Sequence, residues 1–184
     1  MIDENHINLA VDVVLSGGII AYPTESVIGL GCDPFNSKAV KKLLEIKKRN
    51  SSKGLILIAS HIQQILPLIR PTNASDLARA LKTWPGHYTW VFPKSSKVPQ
   101  WVSGNLNTVA VRVSKHSIVK CLCDKLKFPL ISTSANISKQ TVFTSYKQIK
   151  IAFNDKIDFY IDGEIGQHEM PSSIRDAHSN IIIR

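Results

Sequence analysis

The chain has 184 residues, 43% of them hydrophobic, with a mean hydropathy near zero. That length supports one domain with a sizeable core and is short for two. Its 23 Lys and Arg against 14 Asp and Glu leave a formal charge of +9. Such an excess favours anionic partners (nucleotides, nucleic acid or an acidic membrane surface), and a surface that is merely solubilising carries the same signature. Cys32, Cys121 and Cys123 are odd in number and lack disulfide or zinc spacing, which points to a reducing, cytoplasmic compartment. No basic stretch leads into an apolar one at the N-terminus, and no apolar run approaches the roughly 18 residues of a membrane span, so no membrane partner is expected.

Ile7, Ala10, Val11, Val14 and Leu15 follow helical spacing, and Gly17-Gly18 supply a stop before the strand GIIAY. PTESVIGLGCD then reads as a sharp loop returning into a second strand. Ser37 is the expected N-cap of a helix bearing Val40, Leu43 and Leu44, and GLILIAS is a buried strand. Ser60 is the expected cap of a short helix with Ile62, Ile65 and Leu66, and NASDLARALKTW gives a longer one closed by Pro85-Gly86. YTWVF and VAVRV are strands joined by a Ser, Lys and Pro-rich loop. HSIVKCLCDKL is helical, FPLIST a strand, SYKQIKIAF a weaker helix, and IDFYID and NIIIR close the chain as strands. Helices interleave with strands throughout, without repeat or linker, so the expected architecture is a single α/β domain over residues 1–184 with a mixed sheet.

The densest basic cluster, EIKKRNSSKG, holds Lys47, Lys48, Arg49 and Lys53. On a continuous helix Lys47 and Arg49 diverge, whereas a helix ending near Ile46 followed by extended chain puts both on one side. A solvated helix C-terminus that suits the helix dipole accounts for the same run. In LISTSANIS, extended chain sends Ser132, Ser134 and Asn136 one way and Thr133 and Ala135 the other. Small hydroxyl and amide groups at a strand's end suit phosphate or sugar oxygens, and turn or cap residues satisfying the backbone suit the pattern equally. Arg112, among Val109, Val111 and Val113, shares a face with Ala110 and Ser114, either at an edge or aimed at an anion in a cleft. PSSIRDA adds Ser172, Ser173 and Arg175. No glycine-rich phosphate loop, G-x-S-x-G or H-E-x-x-H is present, and His6, His61, His87, His116, His168 and His178 lack metal-ligand spacing. Phosphate ligands would have to be side chains, with no metal site in the protein itself.

AYPTESVIGLGCD, LLEIKKRNSSKGLILIA, WPGHYTWVFP, LNTVAVRVSKHSIV and PLISTSANIS, in this order, closely resemble the YrdC-like family in its short bacterial form, and the resemblance runs through PSSIRDA. It implies a twisted mixed sheet flanked by helices around a basic concave pocket. It also implies synthesis of L-threonylcarbamoyladenylate and pyrophosphate from L-threonine, bicarbonate and ATP. That product serves threonylcarbamoyladenosine formation at position 37 of ANN-decoding tRNAs, through a downstream tRNA threonylcarbamoyl-transferase complex. The family's K-x-R and S-x-N tetrad falls on Lys47, Arg49, Ser134 and Asn136 as catalytic residues. Lys53, Arg112, Ser132 and Thr24 are implied to line the ATP and threonine cleft, and Ser172 and Arg175 are expected beside them. Mg2+ would arrive with ATP, held mostly by phosphate oxygens and water. Ile28, Asn50 and Lys139 depart from the family's commoner aromatic, proline and glycine. The competing reading is a non-catalytic RNA-binding or ribosome-maturation protein of the same fold, and a third is a regulatory nucleotide-binding subunit. Pyrophosphate release that depends on threonine separates a synthase from both.

Overall fold

The computed structural model describes residues 3–138, 140–143, 145–153, 156–168 and 170–184. Helix α1 (Glu4–Leu15) is capped by the Asp3 carboxylate and ends in a left-handed Gly17 (φ 87°), whose N–H reaches Val14 O while the Gly18 N–H reaches Val13 O. These paired bonds close the last turn as a Schellman motif, and only glycine adopts that φ without strain. Strands β1 (Ile20–Pro23) and β2 (Ile28–Gly31) follow, then α2 (Ser37–Ile46), β3 (Ile56–Ala59) and the short α3 (Ile62–Ile65). Helix α4 (Ala74–Leu81), β4 (Tyr88–Pro93), α5 (Gln100–Ser103), β5 (Thr108–Val113) and α6 (Ser117–Leu126) come next. The chain closes with β6 (Leu130–Ser134), α7 (Tyr146–Phe153), β7 (Phe159–Tyr160) and β8 (Ser173–Asp176).

The expected α/β layering is present, with four local corrections. Asn36, not Ser37, caps α2, accepting from the Lys38 and Ala39 N–H groups at 3.1 Å each. Ser60 does not cap α3: its N–H and hydroxyl both donate to Gln64 Oε1, and His61 stands at the cap without a side-chain bond to the helix's N–H groups. The Ser, Lys and Pro-rich loop contains α5. NIIIR forms only an isolated bridge, Ile182 to Arg175, while PSSIRDA supplies the strand β8, because β4 offers it a full parallel register from Tyr88↔Ser173 to Val91↔Asp176.

Among the described residues, eight strands form one mixed sheet in the order β7-β1-β2-β6-β3-β5-β4-β8. Pairs β1/β7, β3/β5 and β4/β8 are parallel and the rest antiparallel. One face carries Leu30, Leu57, Val109, Val111, Phe92 and Ile131, buried against Val40 and Leu43 of α2 and Ala80 of α4. On the other face α1 and α6 cover Ile20, Tyr22, Ile58 and Leu130. The register places Gly29, Ser132, Ser134, Ile56, Ala110, Arg112 and Thr89 on this same second face, beyond the reach of those two helices. Apart from Ile56 their side chains are small or polar, so the uncovered half of the face is a hollow and not a second core.

Candidate active site

That hollow is a cavity of about 610 Å3. Its wall includes Thr24, Lys53, Arg112, Ser132, Ser134, Asn136 and Ser172 among the sequence-predicted residues, together with Arg49, and adds Arg184. Thr133 pairs with Leu30 on the opposite face, as expected, yet also reaches the wall at the sheet's end.

Arg49 and Lys47 diverge because α2 ends in a second Schellman turn. The Lys48 N–H bonds Glu45 O at 3.0 Å and the Arg49 N–H bonds Leu44 O at 2.9 Å, with Lys48 left-handed at φ 49°. The helix stops at Ile46 as expected, but the residues after it curl and are not extended. Arg49 enters the cavity, donates Nη2 to Gly54 O at 2.8 Å, and keeps a buried Nε without a partner among the described residues. Burial, then the nearby Arg184 charge, pulls its guanidinium below the ordinary value, although arginine stays charged.

Lys47 is absent from the cavity wall and only 1% exposed. Its ammonium donates to Ser134 O, to Asn136 O at 2.7 Å and to Asn136 Oδ1 at 3.2 Å. Burial, and secondarily the Arg49 charge, draws its pKa down to about 7. Ser134 Oγ donates to Asn136 Oδ1 at 2.8 Å and Asn136 Nδ2 donates to Gln140 O at 2.5 Å. The four residues lie near one another, but Lys47 and Arg49 do not share a side as expected: Lys47, Ser134 and Asn136 are bonded to one another, and of the tetrad's two cations only Arg49 lines the cavity.

Arg112 is not a free cation. It is 6% exposed and forms an ion pair with Glu25, itself 3% exposed, while Nε donates to Gly86 O at 3.0 Å and Nη2 lies 3.3 Å from His87 Nδ1. Glu25 Oε1 also accepts from Ser114 Oγ at 2.7 Å and the Lys115 N–H at 3.1 Å. Burial alone would raise the Glu25 pKa; the Arg112 charge and the Ser114 hydroxyl outweigh it and hold the carboxyl below its usual range. Sequence reasoning singled out Thr24 and passed over Glu25, although an acid in a loop between two buried strands needs a buried cation. The Thr24 hydroxyl donates to Val27 O at 2.7 Å, fixing the turn between β1 and β2.

Ser172 shares a hydrogen bond with Thr89 at 2.9 Å on the cavity wall. Arg175, expected beside it, is elsewhere: it pairs in register with Trp90, its guanidinium lies 5.7 Å from the Tyr88 ring centroid, and it does not line the cavity. In strand β8 the side chain that shares the cavity face is Ile174, by simple alternation. Arg184 takes the place expected of Arg175, brought in as residues 181–184 fold back on β8 through the Ile174 N–H to Arg184 O bond of 2.8 Å.

Of the three departures, Ile28 is fully buried in the core, and the Asn50 side chain accepts the Ser52 N–H at 2.8 Å, bracing the loop that leads to Lys53. Lys139 lies outside the described residues. Among the described residues no Asp or Glu side chain lines the cavity, and no group of three His, Cys, Asp or Glu is placed to hold a metal. A divalent ion among Arg49, Lys53 and Arg184 would meet three like charges unless a polyanion came with it.

Residues 12–184 match the Sua5/YciO/YrdC family, described as Telomere recombination. The chain belongs to the Sua5/YciO/YrdC family. Among its curated relatives in this family, a threonylcarbamoyl-AMP synthase of Coxiella burnetii (strain RSA 493 / Nine Mile phase I) is 47% identical over 178 residues, which is 97% of this chain and 96% of that protein. One of Vibrio vulnificus (strain YJ016) is 45% identical over 182 residues, 98% of each. Among solved structures, P. abyssi Sua5 complexed with L-threonine superposes with a TM-score of 0.89 at 34% identity, over 96% of this chain and 52% of that one. The chain thus spans about half the length of that Sua5. The E. coli YciO structure, at 24% identity and a TM-score of 0.83 over 95% of this chain and 84% of that one, shares the fold. Among the described residues no helix is long and apolar enough to cross a membrane.

Proposed function

We propose that this chain is a threonylcarbamoyl-AMP synthase, an enzyme that transfers the adenylyl group of ATP to the carbamate formed from L-threonine and bicarbonate. The observation that carries this reading is the convergence of Arg49, Lys53 and Arg184 on one cavity whose described wall has no Asp or Glu side chain, in a chain whose relatives, matched over nearly their full length, are named for that activity. Three cations and the hydroxyls of Ser26, Ser52, Ser132 and Ser134 suit a triphosphate and ribose.

The threonine amine attacks the bicarbonate carbon, forming the N–C bond with loss of water. A carbamate oxygen then attacks the α-phosphorus, and the bond to pyrophosphate breaks. No protein nucleophile is required, so the chain's residues position reactants and neutralise charge. Arg49, with its spare buried Nε, and Arg184 would take the charge that gathers on the departing pyrophosphate. Arg112, held in place by Glu25 behind the wall, forms a fixed polar floor at the Thr24 turn, suited to the carboxylate of an amino acid. Mg2+ bound to ATP would shield the phosphate charge, its ligands being phosphate oxygens, water and at most the serine hydroxyls of the wall. The adenylate would pass to a tRNA threonylcarbamoyl-transferase complex.

The test is incubation with ATP, Mg2+, bicarbonate and labelled threonine. Threonylcarbamoyl-AMP and pyrophosphate should form together, and omitting either threonine or bicarbonate should stop both. Equal pyrophosphate or phosphate release from ATP alone would mean a simple hydrolase and would end this reading.

A further inference from the structure

We propose that Lys47 is a positioning residue: its ammonium, buried behind the cavity wall, holds the Ser134–Asn136 bend in the shape that the substrate meets, and touches no phosphate itself. This rests on the reading of the cavity as an ATP site.

A lysine ammonium has three N–H groups, and Lys47 has three acceptors, Ser134 O, Asn136 O and Asn136 Oδ1, so none is left for a ligand. All three oxygens belong to one bend, which closes further through the Asn136 N–H to Ser134 O bond of 2.9 Å. The backbone of the lysine takes part too, since Lys47 O accepts the Ser138 N–H at 2.9 Å. Side chain and main chain of one residue therefore grip both ends of the segment from 134 to 138.

The choice of a cation has a physical reason. Two main-chain carbonyls and an amide oxygen pointed at a common centre repel one another, and buried acceptors without donors are costly. An ammonium at that centre converts mutual repulsion into three charge-assisted bonds. It also fixes the orientation of the Asn136 amide: Oδ1 faces Lys47 Nζ and Ser134 Oγ, so Nδ2 must turn toward Gln140 O. The Ser134 proton is committed in the same way, leaving that hydroxyl's lone pairs and the second Nδ2 hydrogen for whatever enters. Desolvation works against the charged lysine, yet the three acceptors favour the ammonium. Two residues on, after the left-handed Lys48, Arg49 stands in the cavity. The two cations of the K-x-R pattern thus divide the work, one behind the wall and one in front of it.

The test compares Lys47→Met, Asn136→Ala and the double variant, reading the dissociation constant for Mg-ATP by calorimetry and the melting temperature. If Lys47 acts through the bend, each single change weakens ATP binding at least tenfold, and the double is no more than about threefold worse than the worse single, because either change releases the same bend. Multiplying losses, a hundredfold or more in the double, would mean that Lys47 meets the nucleotide on its own account and would overturn the proposal. So would normal ATP affinity in folded Lys47→Met protein with a lowered melting temperature. Should Lys47→Met fail to fold, a crystal structure of the unaltered protein with a non-hydrolysable ATP analogue decides. Nζ should remain on Ser134 and Asn136, and a phosphate oxygen within about 3.2 Å of it would refute the role. Both readouts use ATP alone, so they decide the role of Lys47 whether or not the chain makes the adenylate.

Discussion

Replacing Glu25 by glutamine removes a charge and little else, which makes Glu25→Gln a sharp probe of the cavity floor. The amide keeps an acceptor for the Ser114 hydroxyl and the Lys115 N–H, and Arg112 keeps the Gly86 carbonyl. What is lost is the counter-ion of a guanidinium that is 6% exposed. Breaking a buried pair from one side costs about 3–5 kcal/mol, and the retained hydrogen bonds reduce the expected loss to about 2–4 kcal/mol. For a chain of this size each kcal/mol shifts the melting temperature by about 2–4 °C, so a fall of about 5–15 °C is expected at neutral pH. The acid limb supplies a second check. Because the folded state holds the Glu25 carboxyl below its ordinary range, its contribution is fully present above about pH 4.3 and is lost as pH falls through the lowered folded value. The gap between the two proteins should therefore close in acid. A melting temperature within about 1 °C of the parent at neutral pH would show that Arg112 does not depend on Glu25 and is hydrated from the cavity, and the argument for a rigid charged floor would fall.

Arg49→Ala should lower threonine-dependent adenylate formation at least tenfold, about 1.4 kcal/mol, with the melting temperature little changed. Lys48→Gly should instead raise stability by about 0.5–1 kcal/mol in urea unfolding and leave turnover intact, because Lys48 occupies the left-handed position that glycine adopts freely. Arg184→Ala should weaken ATP binding measurably by calorimetry, whereas Arg175→Ala, which loses its place over the Tyr88 ring and a bond to Asn180 Oδ1, should not. Equal effects from the two arginines would mean that charge near the cavity matters and placement in it does not.

Much of the fold was legible because its elements carry local signals. The spacing of Val40, Leu43 and Leu44 specifies the buried face of α2, and alternation in VAVRV puts Arg112 on the face opposite the valines, where the structure has it. The stop at Ile46 was legible too, but its form was not. Whether the next residues run extended or curl into a Schellman turn depends on whether Lys48 tolerates positive φ, and sequence preference argues against a lysine there. The burial of Lys47, fixed to oxygens 87 and 89 residues away, is what rewards the turn.

What the sequence determined by itself is the α/β layering, the family, and the small set of Arg, Lys, Ser and Asn groups from which the site is made. The YrdC-like motifs identified the tetrad residue by residue, with no help from contacts. Tertiary structure decided the roles. Parallel pairing with β4 turned Ile174 toward the cavity and Arg175 away, so Arg184 arrives where Arg175 was expected. Arg112 became half of a buried pair because the loop after β1 delivers Glu25 to it across 87 residues, as the ion pair with that carboxylate shows. Charge and hydrogen-bonding capacity are written in residue types, but whether a given N–H is spent inside the protein or left for a substrate depends on which atoms the fold brings within about 3 Å, and no local pattern encodes that.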